Sequence, residues 1–573
     1  MLPLSEGATV CDKVDLTDSD FGIALSIEMS MRGQDDDAGA ASASGDRGGA
    51  AEGMRSSTLD LPREELRELA RVMGGLALDY MESAASLPVF PETSAAQLGS
   101  MFRGPLPTEG VGLEKLERDC AQIIGHSRHN GHPRMFGYVA SPATPVGAFA
   151  TLLASALNSN VTSWRSAPAP TEIEHVTIGW LAELIGYKSA GRNEGAGGLL
   201  TSGGSMANLD ALFIAHRTKA AEAPGGFDGT REVRGAAAAA SGGVSRRGLW
   251  DAGVPMTIYA SDQVHLSIPK AADVLGLGRE QVRVVASDKN YRIDVRALRE
   301  RIEADALAGL RPFCVVASAG TVSTGAVDPL DEVARVAREH SLWFHVDGAY
   351  GALAAADESK RHLFEGLELA DSVSLDPHKW LYTPLDCGCL LLREPERARA
   401  AFEGTEEGYI KVFEREEAES FAFWDYGVEL SRPFRALKVW LMLSYYGSRR
   451  VSAAIADDMS LAAYFGEAVE ASEDFELLAP VTLGICCFRY VPPASRLALA
   501  TAAGEEERAR LDAELDELNS RVMHRVQRGG RAYLSNAVLR GRFALRASIT
   551  NYRTTRGDIN VTLDTVRDAA VES

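Results

Sequence analysis

The chain has 573 residues, with 59 Lys and Arg against 80 Asp and Glu, and so a formal net charge of −21. Its 46% hydrophobic and 24% charged residues exclude a largely disordered or fibrous chain and suit a folded protein with a sizeable core. The acidic balance argues against nucleic acid or an anionic membrane as partner, because phosphate repels unneutralised carboxylates.

Length alone, at roughly 150 residues per domain, suggests three or four domains. The N-terminus (MLPLSEGATVCDKVDLTDSD) has no basic stretch followed by an apolar one, so it does not read as a signal peptide. The apolar run Val146 to Leu157 is shorter than the ~20 residues that span a bilayer. A cytoplasmic protein is therefore expected. The cysteines (Cys11, Cys120, Cys314, Cys387, Cys389, Cys486 and Cys487) are odd in number and form no CxxC pair. Neither a disulfide framework nor a metal site is expected from them. Cys387 and Cys389 alternate in CGCLLL and read as small buried hydrophobes.

In chain order, residues 1–57 read as an extension. Val14 to Met31 could dock on an unknown partner, and Gly33 to Ser57, rich in Gly, Ala, Ser and Asp, reads as a linker. Order should begin near Thr58, where TLDLPREELRELARVMGGLALDYME has apolar residues at helical spacing. Ala223 to Val244 (APGGFDGTREVRGAAAAASGGV) reads as a surface excursion. Between Gly195 and Arg393, the runs VPMTIYAS, QVRVVAS, PFCVVASAG, LWFHVDGA, DSVSLD and CGCLLLR alternate with helical patterns such as PLDEVARVAREH. This alternation predicts a mainly parallel sheet covered by helices, with ligands at the carboxyl ends of its strands. After Glu429 a long helical pattern, LSRPFRALKVWLMLSYYG, leads to a smaller α+β region with strands in APVTLGICCFRYV and RFALRASITN.

Several residues at these strand ends carry chemistry. LLTSGGSMANLDALFIA is a strand end, a Gly-rich turn and a helix. Backbone N–H groups at Gly203, Gly204 and Ser205 could cradle a phosphate there, although such a turn also occurs with no ligand. No GK[ST] or GxGxxG follows, so neither a Walker loop nor a dinucleotide fingerprint is present. Asp347, in WFHVDGAYGA, could keep a cofactor's pyridine nitrogen protonated or simply cap a helix. Lys379, in SVSLDPHKWLYTP, suits Schiff-base chemistry if it is buried and is a plain loop lysine if not. His265, in YASDQVHLSIPKAAD, could stack on an aromatic ring and give or take a proton. Together they supply a phosphate cradle, a flat stacking ring, a ring-nitrogen carboxylate and an amine, which is what pyridoxal phosphate requires.

The chain resembles the group II pyridoxal-phosphate-dependent decarboxylases, the family of aromatic-amino-acid, glutamate and diaminobutyrate decarboxylases. The likeness runs from about Leu59 to near the C-terminus. It rests on HPRMFGYVAS, SAPAPTEIEHVTIGWLAELIGY, TSGGSMANL, SDQVHLS, AGTVSTGAVDPLDEVA, FHVDGAYGA, DPHKW, ELSRPFRALKVWLMLSYYG and LRASITNYRTT, in family order. It implies an α/β, aminotransferase-like fold of type I, with a mainly parallel seven-stranded sheet in the large domain and a small α+β C-terminal domain. The implied division is a helical dimerisation segment at 58–140, a large cofactor domain at 141–450 and a small domain at 451–573.

The resemblance implies that Lys379 binds the cofactor as a Schiff base, Asp347 pairs with its ring nitrogen and His265 stacks on the ring. Ala349 would lie beneath the ring, Gly204 and Ser205 would hold the phosphate, and Thr321, Asp376 and His378 would line the cofactor. Asp376 stands where the aromatic branch has Asn, and Val322 where that branch has a hydroxyl residue. Ser141 and Thr162 would lie near the substrate, Thr162 in the neighbouring subunit's pocket. In EGTEEGYIKVFEREEAES, Tyr409 would deliver a proton to Cα, which favours an amine over an aldehyde as product. The implied reaction is decarboxylation of an L-amino acid, aromatic as first choice, by a homodimer. An acidic or diamino substrate, an aminotransferase or lyase, and a non-catalytic binding protein are the alternatives.

Overall fold

Short runs rich in Val, Ile, Leu, Phe and Cys form the strands of the main sheet, and four of the seven end in Thr, Ser or Asp. The computed structural model describes residues 59–188, 197–222, 254–402 and 421–571. The segments Val14 to Met31, Gly33 to Ser57 and Ala223 to Val244, and the stretch around Tyr409, lie outside the described residues. The chain divides into two compact units, Met1–Leu66 and Arg67–Ser573. Of the first, only 59–66 are described; both sheets belong to the second.

The main sheet contains β1 (Gly197–Thr201), β2 (Met256–Ser261), β3 (Val282–Val285), β4 (Arg311–Ser318), β5 (Trp343–Asp347), β6 (Ser372–Leu375) and β7 (Gly388–Leu392). They are ordered β1-β7-β6-β5-β4-β2-β3. Strands β3, β2, β4, β5 and β6 pair in parallel, and β7 runs antiparallel to both β6 and β1. Every residue of β2, β5, β6 and β7 is buried, as a sheet covered on both faces requires. This is the mainly parallel seven-stranded sheet that the sequence implied. The register sets Ser318 of β4 beside Asp347 of β5, and Asp347 beside Ser374 of β6. Three polar groups thus meet in one row at the carboxyl ends, where ligands bind in such sheets.

The C-terminal region adds an antiparallel sheet of β8 (Phe475–Leu477), β9 (Ile485–Tyr490), β10 (Ser535–Leu539) and β11 (Arg542–Ser548), ordered β10-β11-β9-β8. β9 and β11 match the two strand-like runs in the sequence. β10 and β11 are joined by Arg540 and Gly541, both at positive φ (52° and 82°), the backbone of a type I′ hairpin. The long helical pattern extends from Ala436 to Glu470, with Gly447 at φ 75° and ψ 153° breaking the helical geometry inside it. The division drawn between residues 450 and 451 falls inside this helix.

One buried ion pair ties several of these pieces together. Arg432, in ELSRPF, pairs with Glu174 of the helix Pro168–Leu184, and each side chain is 1% exposed. The same guanidinium donates to the carbonyls of Val161 (2.7 Å) and Leu200 (2.8 Å) and lies 4.1 Å from the Phe423 ring centroid. Glu174 in turn accepts from the Leu200 N–H at 2.9 Å. Removing one partner leaves a lone charge in the core, so Arg432→Met should lower the unfolding free energy by about 3–5 kcal/mol. Urea unfolding of the Glu174→Leu/Arg432→Met double variant should show a loss well below the sum of the single variants.

Candidate active site

The Gly-rich turn is built by close packing. Thr201 ends β1, and Ser202 and Gly203 lead into the helix Gly204–Ala221. A Cβ on Gly204 would lie 2.7 Å from the Ala349 Cβ, and one on Gly388 of β7 would lie 2.4 Å from the Gly203 Cα. Side chains are thus excluded for steric reasons, and the helix end stays open. The first N–H groups of a helix have no intrahelical partner and carry the positive end of its dipole. Those of Gly204 and Ser205 therefore offer an anion site.

Beside this turn lies a cavity of about 320 Å³, lined by Gly204, Ser205, His265, Thr321, Asp347, Ala349, Asp376, His378 and Lys379 among others. All nine residues expected to bind the cofactor thus meet in one place.

Asp347 is 8% exposed at the end of β5. Its Oδ2 accepts from Asn208 Nδ2 at 3.0 Å, and its Oδ1 accepts from Ser374 Oγ and the Ala349 N–H, each at 3.2 Å. No cation pairs with it among the described residues. It is a buried carboxylate solvated by neutral donors, which leaves it suited to an incoming positively charged N–H.

His265 precedes the helix Ser267–Val274. Burial is the main cause that pushes its pKa below the ordinary value; Asp347 and Asp376 oppose the shift and Lys379 adds to it. The shift disfavours the charged imidazolium, although the residue itself is exposed. Its Nδ1 lies 2.8 Å from Ser267 Oγ.

Lys379 sits in the short helix Pro377–Trp380. Its Nζ lies 2.8 Å from Asp376 Oδ2, and Asp376 is 2% exposed. Asp376 Oδ2 also lies 3.0 Å from where a Gly204 Cβ would be. The Asp376 carboxylate thus stands between the anion cradle and the amine. His378 donates from Nδ1 to the Cys387 carbonyl at 2.6 Å, and burial is the main cause of its lowered pKa. Ser141 donates its hydroxyl to the Lys379 carbonyl. It lines a neighbouring cavity of about 440 Å³, with which the first shares Val139 and His378. Thr162 is not brought to either cavity; its carbonyl accepts from the Phe423 N–H at 2.9 Å. Tyr409 lies outside the described residues.

These residues fit pyridoxal phosphate: an anion cradle that a Cβ would fill, a carboxylate without a cation, a flat imidazole and an amine. Comparison with known proteins agrees. The model of the pyridoxal-dependent decarboxylase conserved domain matches residues 99–491. The chain belongs to this decarboxylase family. It is 33% identical over 501 residues to an aromatic-L-amino-acid decarboxylase of Bacillus atrophaeus, covering 87% of this chain and 94% of that protein. It is 30% identical over 499 residues to a phenylacetaldehyde synthase of Petunia hybrida, covering 86% and 92%. The crystal structure of Oryza sativa TDC with PLP and tryptamine superimposes with a TM-score of 0.78 at 30% identity, covering 90% of this chain and 99% of that one. The protein is a pyridoxal-phosphate-dependent amino-acid decarboxylase.

Some functional residues of this decarboxylase were missed from the sequence. Asn208 lies one helical turn beyond Gly204, on the same helix face, and that periodicity could have found it. His345 precedes Asp347 by two residues on β5 and shares its face. It is fully buried, and burial pushes its pKa down to about 4.

A histidine with a depressed folded pKa contributes stability above its unfolded value of 6.5 and loses it as pH falls towards 4. His345 alone should account for about 3 kcal/mol of acid-induced loss over that window. Chemical unfolding of His345→Leu from pH 7 to 4 should give a flatter pH dependence than wild type. Gly204→Ala should weaken cofactor binding about tenfold or more in a fluorescence titration, because its methyl would meet Ala349.

Proposed function

We propose that this decarboxylase acts on an aromatic L-amino acid, releases the amine and CO2, and works as a cytoplasmic homodimer. The observation that carries the reading is the cavity in which Lys379, Asp347 and His265 meet. The aromatic class is supported by relatives named for aromatic substrates, including tryptophan decarboxylases of Oryza sativa and a tyrosine decarboxylase of Narcissus pseudonarcissus. None of these relatives favours the acidic or diamino alternative.

When bound, the cofactor supplies a cationic ring that accepts the electron pair left behind as the carboxylate departs. The chain's residues do the rest. Gly204 and Ser205 would hold the phosphate, and Asp347 would keep the ring N–H in place. Thr321, Ala349, Asp376 and His378 complete the wall. Lys379 would hold the cofactor through its amine and, once the substrate's own amine had taken that place, would stand free at the cavity wall. Ser141 and Thr162 lie on the substrate side, Thr162 in the partner's site, and Tyr409 gives Cα its proton.

Dimerisation is supported by exposed apolar residues on the helix Pro145–Leu157, namely Phe149, Leu152, Leu153 and Leu157, which a second copy would cover. The six described cysteines are free thiols, which suits a reducing compartment.

A substrate panel decides the reading. Tyr, Trp, Phe, DOPA, Glu, Asp and diaminobutyrate would be compared by CO2 release, with at least tenfold preference for an aromatic member expected. Keto-acid formation without CO2 would replace the reading with an aminotransferase. Borohydride reduction followed by peptide mass analysis should find the pyridoxyl group on Lys379, and Lys379→Ala should lose both the adduct and turnover.

A further inference from the structure

Behind the cavity runs an unbroken chain of hydrogen bonds, buried from Trp343 to Ser267 and ending at the exposed His265, whose directions can be assigned one by one. It begins at Trp343 on β5, whose Nε1–H can only donate, and which reaches Ser372 Oγ at 2.9 Å. Ser372 Oγ lies 2.8 Å from His345 Nδ1, and His345 Nε2 lies 2.9 Å from Asn208 Oδ1. An amide oxygen only accepts, so His345 carries its proton on Nε2 and takes the Ser372 hydroxyl proton at Nδ1. The Asn208 NH2 then donates both its hydrogens, one to Asp347 Oδ2 at 3.0 Å and one to Ser267 Oγ at 2.8 Å. Ser267 Oγ, having accepted, gives its own proton to His265 Nδ1 at 2.8 Å. The Ser267 backbone N–H points at the same nitrogen at 3.2 Å, and a backbone N–H can only donate.

Two donors therefore converge on His265 Nδ1, and neither leaves room for a proton there. We infer that Asn208 and Ser267 are positioning residues that lock His265 as the neutral, Nε2-protonated tautomer, with His345 and Ser372 holding the Asn208 amide in the required orientation. The inference rests on the cofactor reading of the cavity and sharpens it. His265 presents a hydrogen-bond donor at Nε2, which has no partner among the described residues. It offers no basic nitrogen to the cavity. It can steady an anionic group of the substrate, and it cannot serve as the base that takes a proton. Asn208 also couples this ring to the carboxylate, since one amide supports both Asp347 and Ser267.

The charged groups around His265 leave this assignment standing. Asp347 and Asp376 favour its protonation, Lys379 opposes it, and burial outweighs all of them. Protonating Nδ1 would force the Ser267 hydroxyl to turn and would strand the Ser267 N–H.

The direction of the chain can be reversed by one substitution. In Asn208→Asp the side chain still accepts from His345, but it presents an acceptor to Ser267. The Ser267 hydroxyl would turn towards it and leave a lone pair for His265 Nδ1–H. Ser267→Ala removes the hydroxyl donor and leaves only the backbone N–H.

The test uses full-length holoenzyme with ring-15N histidine, whose 11 histidines are separated by assignment with His265→Gln. Wild type should show an unprotonated Nδ1 and a protonated Nε2 at His265 from pH 8 to below 6. A protonated Nδ1 in wild type would overturn the inference without any further variant. In Asn208→Asp the His265 signals should move towards Nδ1 protonation. The acid limb of kcat/KM should rise by about one pH unit in Asn208→Asp and Ser267→Ala. Folded variants that lose kcat while both the His265 ring shifts and the acid limb stay at wild-type values would reduce these residues to packing and sink the idea. Because the ring shifts need no turnover, failure of the decarboxylase reading and failure of this one give different results.

Discussion

The Asp347 carboxylate is the constraint around which the site is organised. It is buried at the end of β5, and no described residue neutralises it. Burying an unpaired charge costs several kcal/mol even after relaxation, so the fold must surround it with donors. It draws these from separate elements: Asn208 from the helix after the Gly-rich turn, Ser374 from β6, and the Ala349 N–H from the turn after β5. Each donor imposes a packing demand of its own. Asn208 can reach Asp347 only if its helix starts close against the sheet, which the contact between Gly204 and Ala349 permits. Ser374 can reach it only if β5 and β6 pair in the observed register. Fold and site are therefore one requirement seen at two scales.

The same requirement explains how charge is distributed over a strongly acidic chain. Net charge sets solubility and says nothing about a cavity. Within the cavity the sole ammonium among the lining residues, Lys379, is already taken by Asp376 at 2.8 Å. Asp376 in turn lies near the helix end that would receive a phosphate, a like-charge approach that the helix dipole and its free N–H groups must outweigh. His378 is engaged through Nδ1 by the Cys387 carbonyl, which fixes its ring beside that carboxylate.

Much of this is legible in the sequence. Strands β1, β2, β4, β5 and β6 run in the same direction and end at, or one residue before, Thr, Ser or Asp, so their carboxyl ends come together. That logic alone gathers Gly204, His265, Asp347 and Lys379. The rest depends on contacts that no local pattern encodes. β10 is five residues of alternating burial containing Ser and Asn, stabilised by its hairpin partner and not by its own composition. The role of Asn208 is visible only once β5 and the helix are placed against each other. Thr162 illustrates a different limit: its backbone pairs with Phe423, and it lines neither of the two cavities.

The polarity of the cavity narrows the ligand further than its shape does. At the Gly-rich turn it offers hydrogen-bond donors, the N–H groups of Gly204 and Ser205. Across the cavity it offers an acceptor, the Asp347 carboxylate. His265 adds a donor between them, and its face is uncharged. A ligand that satisfies all three must be anionic at one end, carry a cationic N–H at the other and be flat between. A nucleotide phosphate would satisfy the first demand and leave Asp347 without a cation. A plain aromatic amine would satisfy the second and leave the helix end empty. Pyridoxal phosphate answers both at once, and its aldehyde then has an amine to meet in Lys379. The position of that lysine, two residues beyond Pro377 in a single helical turn that begins after Asp376, follows from the end of β6, which lies beside the end of β5 where Asp347 stands.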